Sequence, residues 1–141
     1  MKNILKLSLL TVGATICFTS QSYKGRELDK TASFNTPFEL KLDEKVFLPK
    51  AKKELEVSLV TINDNRCPEN VQCLTAGKAI AEIKLVSKEG SEIVTKLELN
   101  QASAADTITV PLNKTNYSVI LSEVDRLYAN KAKILIKKQA I

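Results

Sequence analysis

The chain has 141 residues, of which 44% are hydrophobic and 26% charged, a composition typical of one domain with a packed core rather than of a disordered chain. It contains no histidine, which excludes Ser-His-Asp and Cys-His catalysis and every zinc site that uses imidazole. Its formal net charge of +5 is spread along the sequence and does not indicate binding to nucleic acid.

Residues 1–22 have the pattern of a signal peptide. Lys2 and Lys6 form a basic start, and the apolar stretch that follows is too short to span a membrane. The triplet Ser20-Gln21-Ser22 meets the small-x-small rule and predicts cleavage directly after it. We therefore expect an exported protein, periplasmic or extracellular, with no transmembrane span in the mature chain.

The cysteines are interpreted in the light of export. Cys17 would be the lipidated residue if the signal were that of a bacterial lipoprotein, although Ile16 stands where such a signal has a small residue. Free secretion is therefore favoured over a lipid anchor at Cys17. The remaining pair, Cys67 and Cys73, predicts a disulfide, because an even number of cysteines in an exported chain is typical of bridges.

Polar residues 23–33 show no period, and we expect a flexible lead-in. Residues 34–141 then contain short runs in which apolar and polar residues alternate, the period of half-buried strands. In chain order, the runs cover residues 38–42, 45–48, 55–62, 79–86, 93–99, 107–110, 117–122 and 134–136. No segment has a convincing helical period. We predict one all-β domain, an antiparallel sandwich (immunoglobulin-like) or a small barrel of about 7–8 strands with one disulfide-bridged loop.

Three details refine the strand pattern. Gly90 lies in a predicted hairpin turn at a position that needs a positive φ. Pro111 fits an edge strand or a strand end, because proline cannot donate a ladder hydrogen bond. The last strand is flanked by Lys133, Lys137 and Lys138, which is typical of an exposed sheet edge.

Segment 63–77, between two long predicted strands, holds the least common residue types. Cys67 and Cys73 enclose five residues, and a bridge that closes so short a ring contributes about 2 kcal/mol. The spacing differs from Cys-x-x-Cys, so a redox role is not favoured. We expect a stapled loop, with Gly77 where the backbone bends sharply into the next strand.

Three charged residues of this loop are candidate contacts for a partner: Asp64, Arg66 and Glu69. Arginine is enriched among interface anchors, which favours that function. In the structural alternative, Asp64 accepts loop amides in an Asx-turn while Arg66 packs over the sheet. A calcium site is a further alternative, although the spacing matches no calcium loop. Its oxygen ligands would be Asn63, Asp64, Asn65 and Glu69.

The segments 64–68 (Asp-Asn-Arg-Cys-Pro) and 73–77 (Cys-Leu-Thr-Ala-Gly) resemble a motif of small, largely uncharacterised bacterial exported proteins and lipoproteins. That motif reads Asp-Ser-Arg-Cys-Pro, four variable residues, then Cys-x-Trp-Ala-Gly. Residues 117–121 are similar to the later Tyr-x-Val-x-Leu strand of these proteins, so the resemblance covers most of residues 55–124.

This chain departs from the motif at Asn65, where the motif has Ser, and at Thr75, where it has Trp. The second departure removes the aromatic residue that would best anchor a ligand or partner. The resemblance implies an exported β-domain with a bridged loop, and it implies no activity.

These observations predict a non-catalytic exported β-domain, without a cofactor, that binds a protein or another envelope component. One alternative is an inhibitor or immunity protein that inserts the bridged loop 63–77 into the cleft of a target enzyme. Another is a small-ligand or calcium-binding envelope protein. We do not expect an enzyme: without histidine, catalysis would need a Ser-Lys dyad or paired carboxylates, and no Ser-x-x-Lys stands at a helix start.

Overall fold

The computed structural model describes residues 29–101 and 104–139. The predicted signal peptide 1–22, the possible anchor Cys17 and most of the predicted lead-in therefore lie outside the described residues. Within them the chain forms nine strands, and it has no helix long and apolar enough to cross a membrane. The prediction of an all-β domain is confirmed.

The strands form two sheets that pack face to face. Their bounds are Lys30–Thr31 (β1), Phe38–Lys41 (β2), Lys45–Leu48 (β3), Leu55–Asp64 (β4), Lys78–Ser87 (β5), Glu92–Asn100 (β6), Asp106–Leu112 (β7), Thr115–Val124 (β8) and Lys131–Gln139 (β9). The first sheet has the order β1-β3-β4-β5-β6 and the second the order β2-β9-β8-β7. Because the two sheets remain separate, the fold is the predicted sandwich and not the small barrel.

The core lies between the sheets and consists mainly of aliphatic side chains. In β4, for example, Leu55, Val57 and Leu59 are buried while the residues between them are more exposed. Ile134 and Ile136 of β9, in the second sheet, belong to the same core and are fully buried. Each such side chain contributes roughly 1.5–3 kcal/mol when it leaves water, so the alternation that predicted the strands is also the pattern that stabilises them.

A β-bulge in β4 changes which side chains face the core. The register shifts between Leu59 and Thr61, which leaves Val60 as an extra residue. Because side chains alternate along a strand, one extra residue exchanges the two faces. Asp64 consequently lies on the inner face at the end of β4, opposite the buried Ala79 of β5.

The prediction that the last strand lies at a sheet edge is wrong. β9 pairs with β8 on one side and with β2 on the other, although Lys133, Lys137 and Lys138 remain exposed. The reason is that β2, from the opposite end of the sequence, covers the edge of β9. The edge strand beyond β8 is β7, which contains Pro111, as predicted.

The sheet begins earlier than the predicted start of the domain at residue 34. Strand β1, Lys30–Thr31, lies within the predicted lead-in and pairs with β3 in parallel. The backbone N–H of Ala32 continues this pairing by donating to the carbonyl oxygen of Phe47 at 3.0 Å. A strand of two residues is too short to show alternation, so the sequence pattern could not reveal it.

The connecting loops gather at the two ends of the sandwich. One end carries the loop between β4 and β5, the connection from β6 to β7 and the loop between β8 and β9. We call it the bridged end and define it by residues 65–77 and 125–130. The turn between β5 and β6 lies at the opposite end, where Gly90 has the predicted positive φ of 91°.

Candidate functional site

The loop between β4 and β5 extends the hairpin beyond its two strands. The N–H of Asn65 donates to the carbonyl oxygen of Lys78 at 2.9 Å, and that of Cys67 donates to Ala76 at 3.1 Å. The predicted disulfide between Cys67 and Cys73 is confirmed, with Cα atoms 6.0 Å apart. The loop is therefore anchored by backbone pairing at its base and by a covalent bridge nearer its tip.

Gly77 allows the two legs of this loop to approach each other. Its φ is +64°, and a Cβ atom built on it would lie 1.9 Å from the carbonyl oxygen of Asn65. Any side chain would therefore collide with backbone that cannot move without breaking the hairpin. The predicted sharp bend at this glycine is confirmed.

Asp64 and Arg66 form a nearly buried ion pair at the base of the loop. Arg66 donates from Nε to Asp64 Oδ1 at 2.8 Å and from Nη2 to Asp64 Oδ2, and its backbone N–H also reaches Oδ1 at 3.0 Å. The side chain of Arg66 is 8% exposed and that of Asp64 11%. This arrangement combines the Asx-turn and the packed arginine of the structural alternative.

The same guanidinium joins the two sheets. Arg66 Nη2 donates to the carbonyl oxygen of Val124, the last residue of β8, at 3.0 Å. That oxygen lies where β8 ends, so the arginine satisfies a main-chain acceptor that the sheet leaves unpaired. The bridged loop is thereby fastened to the opposite sheet.

The electrostatics follow from this geometry. The hydrogen bonds from Arg66 hold the pKa of Asp64 below its ordinary value, although partial burial acts in the opposite direction. The hydrogen-bonded carboxylate in turn raises the pKa of Arg66. At neutral pH both groups are therefore charged, and each is the hydrogen-bonding partner of the other.

The structure separates the three predicted contact residues. Asp64 and Arg66 face inward as a pair, whereas the side chain of Glu69 is 77% exposed. Of the three, Glu69 is the one placed on the surface, and its role as a partner contact stays a prediction.

A cleft of about 690 Å³ separates the bridged loop from the loop between β8 and β9. Asp125 shapes that second loop: its side chain accepts from the N–H of Leu127 at 3.2 Å and its carbonyl oxygen from the N–H of Ala129 at 3.1 Å. The residues that line the cleft are Asp64, Arg66, Cys67, Pro68, Glu69, Arg126, Leu127, Tyr128 and Ala129.

A second depression of about 390 Å³ lies beside the first and shares Arg66 and Arg126 with it. The end of β6 borders it, and there Gln101 donates from Nε2 to the carbonyl oxygen of Cys67 at 3.1 Å. Arg126 therefore lines both depressions. Three parts of the chain, distant in sequence, build one surface at the bridged end.

Exposed apolar side chains concentrate at this end. Six large ones are exposed in the described part of the chain, and four of them belong to the two loops that define the bridged end: Val71, Leu74, Leu127 and Tyr128. The other two, Val60 and Val94, lie on strands of the first sheet. Leu127 and Tyr128 line the cleft, and Val71 and Leu74 lie elsewhere on the bridged loop. Apolar exposure that concentrates at one end of a molecule marks interaction sites, whereas scattered exposure is ordinary.

The sequence pattern pointed to the bridged loop but not to its neighbour across the cleft. Residues 125–130 read as a connection between two strands, and nothing in their spacing placed them beside the cysteines. The signal that could have drawn attention is the pair Leu127-Tyr128, because large apolar residues are unusual in a short polar turn.

The calcium alternative meets an obstacle in the geometry. Both carboxylate oxygens of Asp64 accept hydrogen bonds from Arg66, while Glu69 faces solvent and the Arg126 side chain. Residues 29–101 and 104–139 contain no group of three or more cysteine, aspartate or glutamate side chains arranged to hold a metal ion. Asp64 is therefore already engaged by Arg66 and is not free to ligate a calcium ion in this structure.

Comparison with protein-family models, curated proteins and solved structures finds no match to this chain. The likeness of the loop to the motif of exported bacterial proteins therefore stays a prediction. What the protein does is inferred from the bridged end itself.

Proposed function

We propose that this chain is a non-catalytic exported β-domain that binds a protein partner in the cell envelope through its bridged end. The observation that carries the proposal is the group of exposed apolar side chains on the two loops beside the cleft. Leu74 is fully exposed, Leu127 is 83% exposed and Tyr128 76%. Burying such side chains against a partner gains roughly 1.5–3 kcal/mol each, and tyrosine is enriched among the residues that dominate interface energies.

The stiffness of the bridged end supports the same function. The disulfide, the Asp64–Arg66 pair and the bond from Gln101 to the Cys67 carbonyl each constrain the loop. A loop that is ordered before binding loses less conformational entropy on binding. Rigid sandwiches commonly present binding loops in this way.

The sequence supports an envelope location for this activity. Residues 1–22 have the pattern of an export signal, and a disulfide persists in oxidising compartments such as the bacterial periplasm. A partner would accordingly be another exported or envelope-bound protein.

The proposal is tested by replacing exposed apolar residues of the two loops with polar ones. We compare the wild type with a Leu74→Ser/Tyr128→Ser variant and with a control, Val60→Thr/Val94→Thr, which also makes two exposed apolar positions polar but on the first sheet. Each protein is immobilised and exposed to cell-envelope extract of the source organism, and affinity is then measured with the purified captured protein.

We expect the control to bind as the wild type does and the loop variant to bind at least about tenfold more weakly, the effect of losing one dominant interface residue. Equal affinity of all three proteins would remove the bridged end from the function. Arg66 is left unchanged, because its removal would disturb the fold rather than report on contact.

A second candidate is the inhibitor or immunity protein that inserts loop 63–77 into an enzyme's cleft. Full exposure of Leu74 on a bridged loop favours it, since a rigid projecting side chain suits insertion. The two single variants distinguish the candidates. Insertion predicts that Leu74→Ser alone abolishes binding while Tyr128→Ser leaves it intact; a partner that covers both loops requires both residues.

A further inference from the structure

We infer that the bridged end recognises a segment of its protein partner in which an acidic side chain stands next to an apolar one, and that Arg126 binds the acidic group. This inference rests on the proposed function and specifies the chemistry of the partner. It follows from a difference between the two arginines that line the cleft.

Arg66 is mostly committed to contacts within the protein. Its guanidinium is engaged by both oxygens of Asp64 and by the carbonyl oxygen of Val124, and its side chain is 8% exposed. An incoming carboxylate that took the Nε and Nη2 donors would have to displace a nearly buried aspartate, and breaking such a pair is strongly unfavourable.

Arg126 is held far more loosely. Its side chain is 42% exposed, and its ion pair is a contact of 3.5 Å from Nη1 to Oε1 of Glu69, which is itself 77% exposed. Exposed pairs of this kind contribute little to stability. A guanidinium presents five donors, and it can form two parallel, charge-assisted hydrogen bonds to one carboxylate, which add both strength and geometric specificity. A partner's carboxylate can therefore replace Glu69 with a net gain.

The position of Arg126 determines what must stand beside that carboxylate. It lines both depressions of the bridged end, and the next two residues, Leu127 and Tyr128, are the exposed apolar wall of the larger one. A carboxylate bound at Arg126 therefore places the neighbouring residue of the same segment against an apolar surface. An aliphatic or aromatic residue fits there and buries Leu127 and Tyr128.

The surrounding charges limit the ligand to few acidic groups. Glu69, Glu123 and Asp125 all line the depressions that Arg126 shares, and the neighbouring Asp64–Arg66 pair is neutral as a unit. A polyanion would be repelled by these three carboxylates, whereas a single carboxylate exchanges with Glu69. This charge pattern fits an acidic side chain in a mixed sequence and not a nucleic acid or a polyphosphate.

Short peptides test this chemistry without knowledge of the partner. The ¹⁵N-labelled protein is titrated with Ac-Ala-Asp-Leu-Ala-NH₂ and with two controls that change one side chain each: Asn in place of Asp, and Ala in place of Leu. We expect the Asp-Leu peptide to shift the amide signals of residues 66–69 and 126–129 and to bind at least threefold more tightly than either control. Because the contact is charged, the preference over the Asn peptide falls as salt is raised from 50 to 500 mM.

Protein variants then assign the preference to Arg126. We expect Arg126→Ala to abolish the preference for the Asp-Leu peptide and Arg126→Lys to retain part of that preference. Lys131→Ala is the matched control, because Lys131 is also 42% exposed, lies at the start of β9 and makes one weak ion pair, with Glu39 at 3.9 Å. This control keeps the full preference.

The outcomes separate this inference from the proposed function. Three results would each overturn the inference. The three peptides bind equally, none of them shifts any amide signal, or the preference for the Asp-Leu peptide survives in Arg126→Ala. The protein captured from the envelope extract gives a further comparison. If it binds Arg126→Ala as tightly as wild type but binds Leu74→Ser/Tyr128→Ser more weakly, the proposed function stands and the inferred contact between Arg126 and an acidic group is wrong.

Discussion

The guanidinium of Arg66 and the carbonyl oxygen of Val124 lie 3.0 Å apart and join the two sheets of the sandwich at one end. Arg66 reaches this position from the loop after β4, held by Asp64 on the same side. One side chain thus closes the end of the core, anchors the bridged loop and forms the floor between two surface depressions.

Replacing Arg66 therefore affects stability. Arg66→Ala leaves the nearly buried Asp64 charged and unpaired, and we expect the free energy of unfolding to fall by about 2–3 kcal/mol. Arg126→Ala, which removes an exposed arginine from the same cleft, should change it by less than about 0.5 kcal/mol. Urea unfolding followed by circular dichroism measures both, and similar values for the two variants would mean that Arg66 has no structural role.

The ion pair also predicts how stability depends on pH. The folded-state pKa of Asp64 lies below that of the unfolded chain, about 3.9, so its contribution is complete above that value and is lost as pH falls through the folded pKa. The difference in unfolding free energy between wild type and Asp64→Asn should be largest above about pH 5 and shrink towards pH 2. A difference that stays constant from pH 7 to pH 2 would show that this carboxylate does not titrate with folding.

Two glycines with positive φ provide a matched test of the hairpin. A methyl group at Gly77 would meet the Asn65 carbonyl oxygen, whereas one at Gly90 meets nothing within 4 Å. Gly90→Ala should lower the free energy of unfolding by about 1–2 kcal/mol through backbone strain alone. Gly77→Ala should lower the free energy of unfolding by clearly more, because the backbone at Asn65 must also move. Thermal unfolding of the two variants compares them; equal losses would mean that the close approach is unimportant.

The disulfide contributes to stability but does not by itself form the hairpin. Cys67→Ser/Cys73→Ser should lower the free energy of unfolding by about 2 kcal/mol, the value for a short closed ring. The backbone bond between Asn65 and Lys78 lies outside the ring and should persist, which hydrogen exchange of the Asn65 amide can show. Exchange of that amide at the unprotected rate in the variant would mean that the bridge holds the whole loop.

Much of the fold is readable from the sequence because the physics that builds it is local. Leu55, Val57 and Leu59 alternate with polar residues, and a strand with one buried face requires that alternation. The bridge was likewise predictable, since two cysteines with suitable spacing lie outside the predicted signal peptide.

What the sequence could not reveal depends on contacts between distant segments. The lysines of β9 look the same at an edge or in the middle of a sheet, and the pairing of β2 with β9 decides which it is. The bulge at Val60 shifts the register by only one residue. It nevertheless places Asp64 on the inner face, where Arg66 pairs with it and donates to the Val124 carbonyl oxygen. The place of Tyr128 beside the bridged loop follows from the packing of the two sheets, which leaves no periodic signal.

The most direct test of the bridged end as a binding surface is site-specific photo-cross-linking in living cells. A photoreactive residue replaces Leu74, Tyr128 or, as a control, Val94, which is 51% exposed on the first sheet. We predict that positions 74 and 128 cross-link to the same envelope protein, that position 94 does not, and that Tyr128→Ser weakens the cross-link from position 74. Cross-links of equal yield from all three positions, or from position 94 alone, would contradict a binding site at the bridged end.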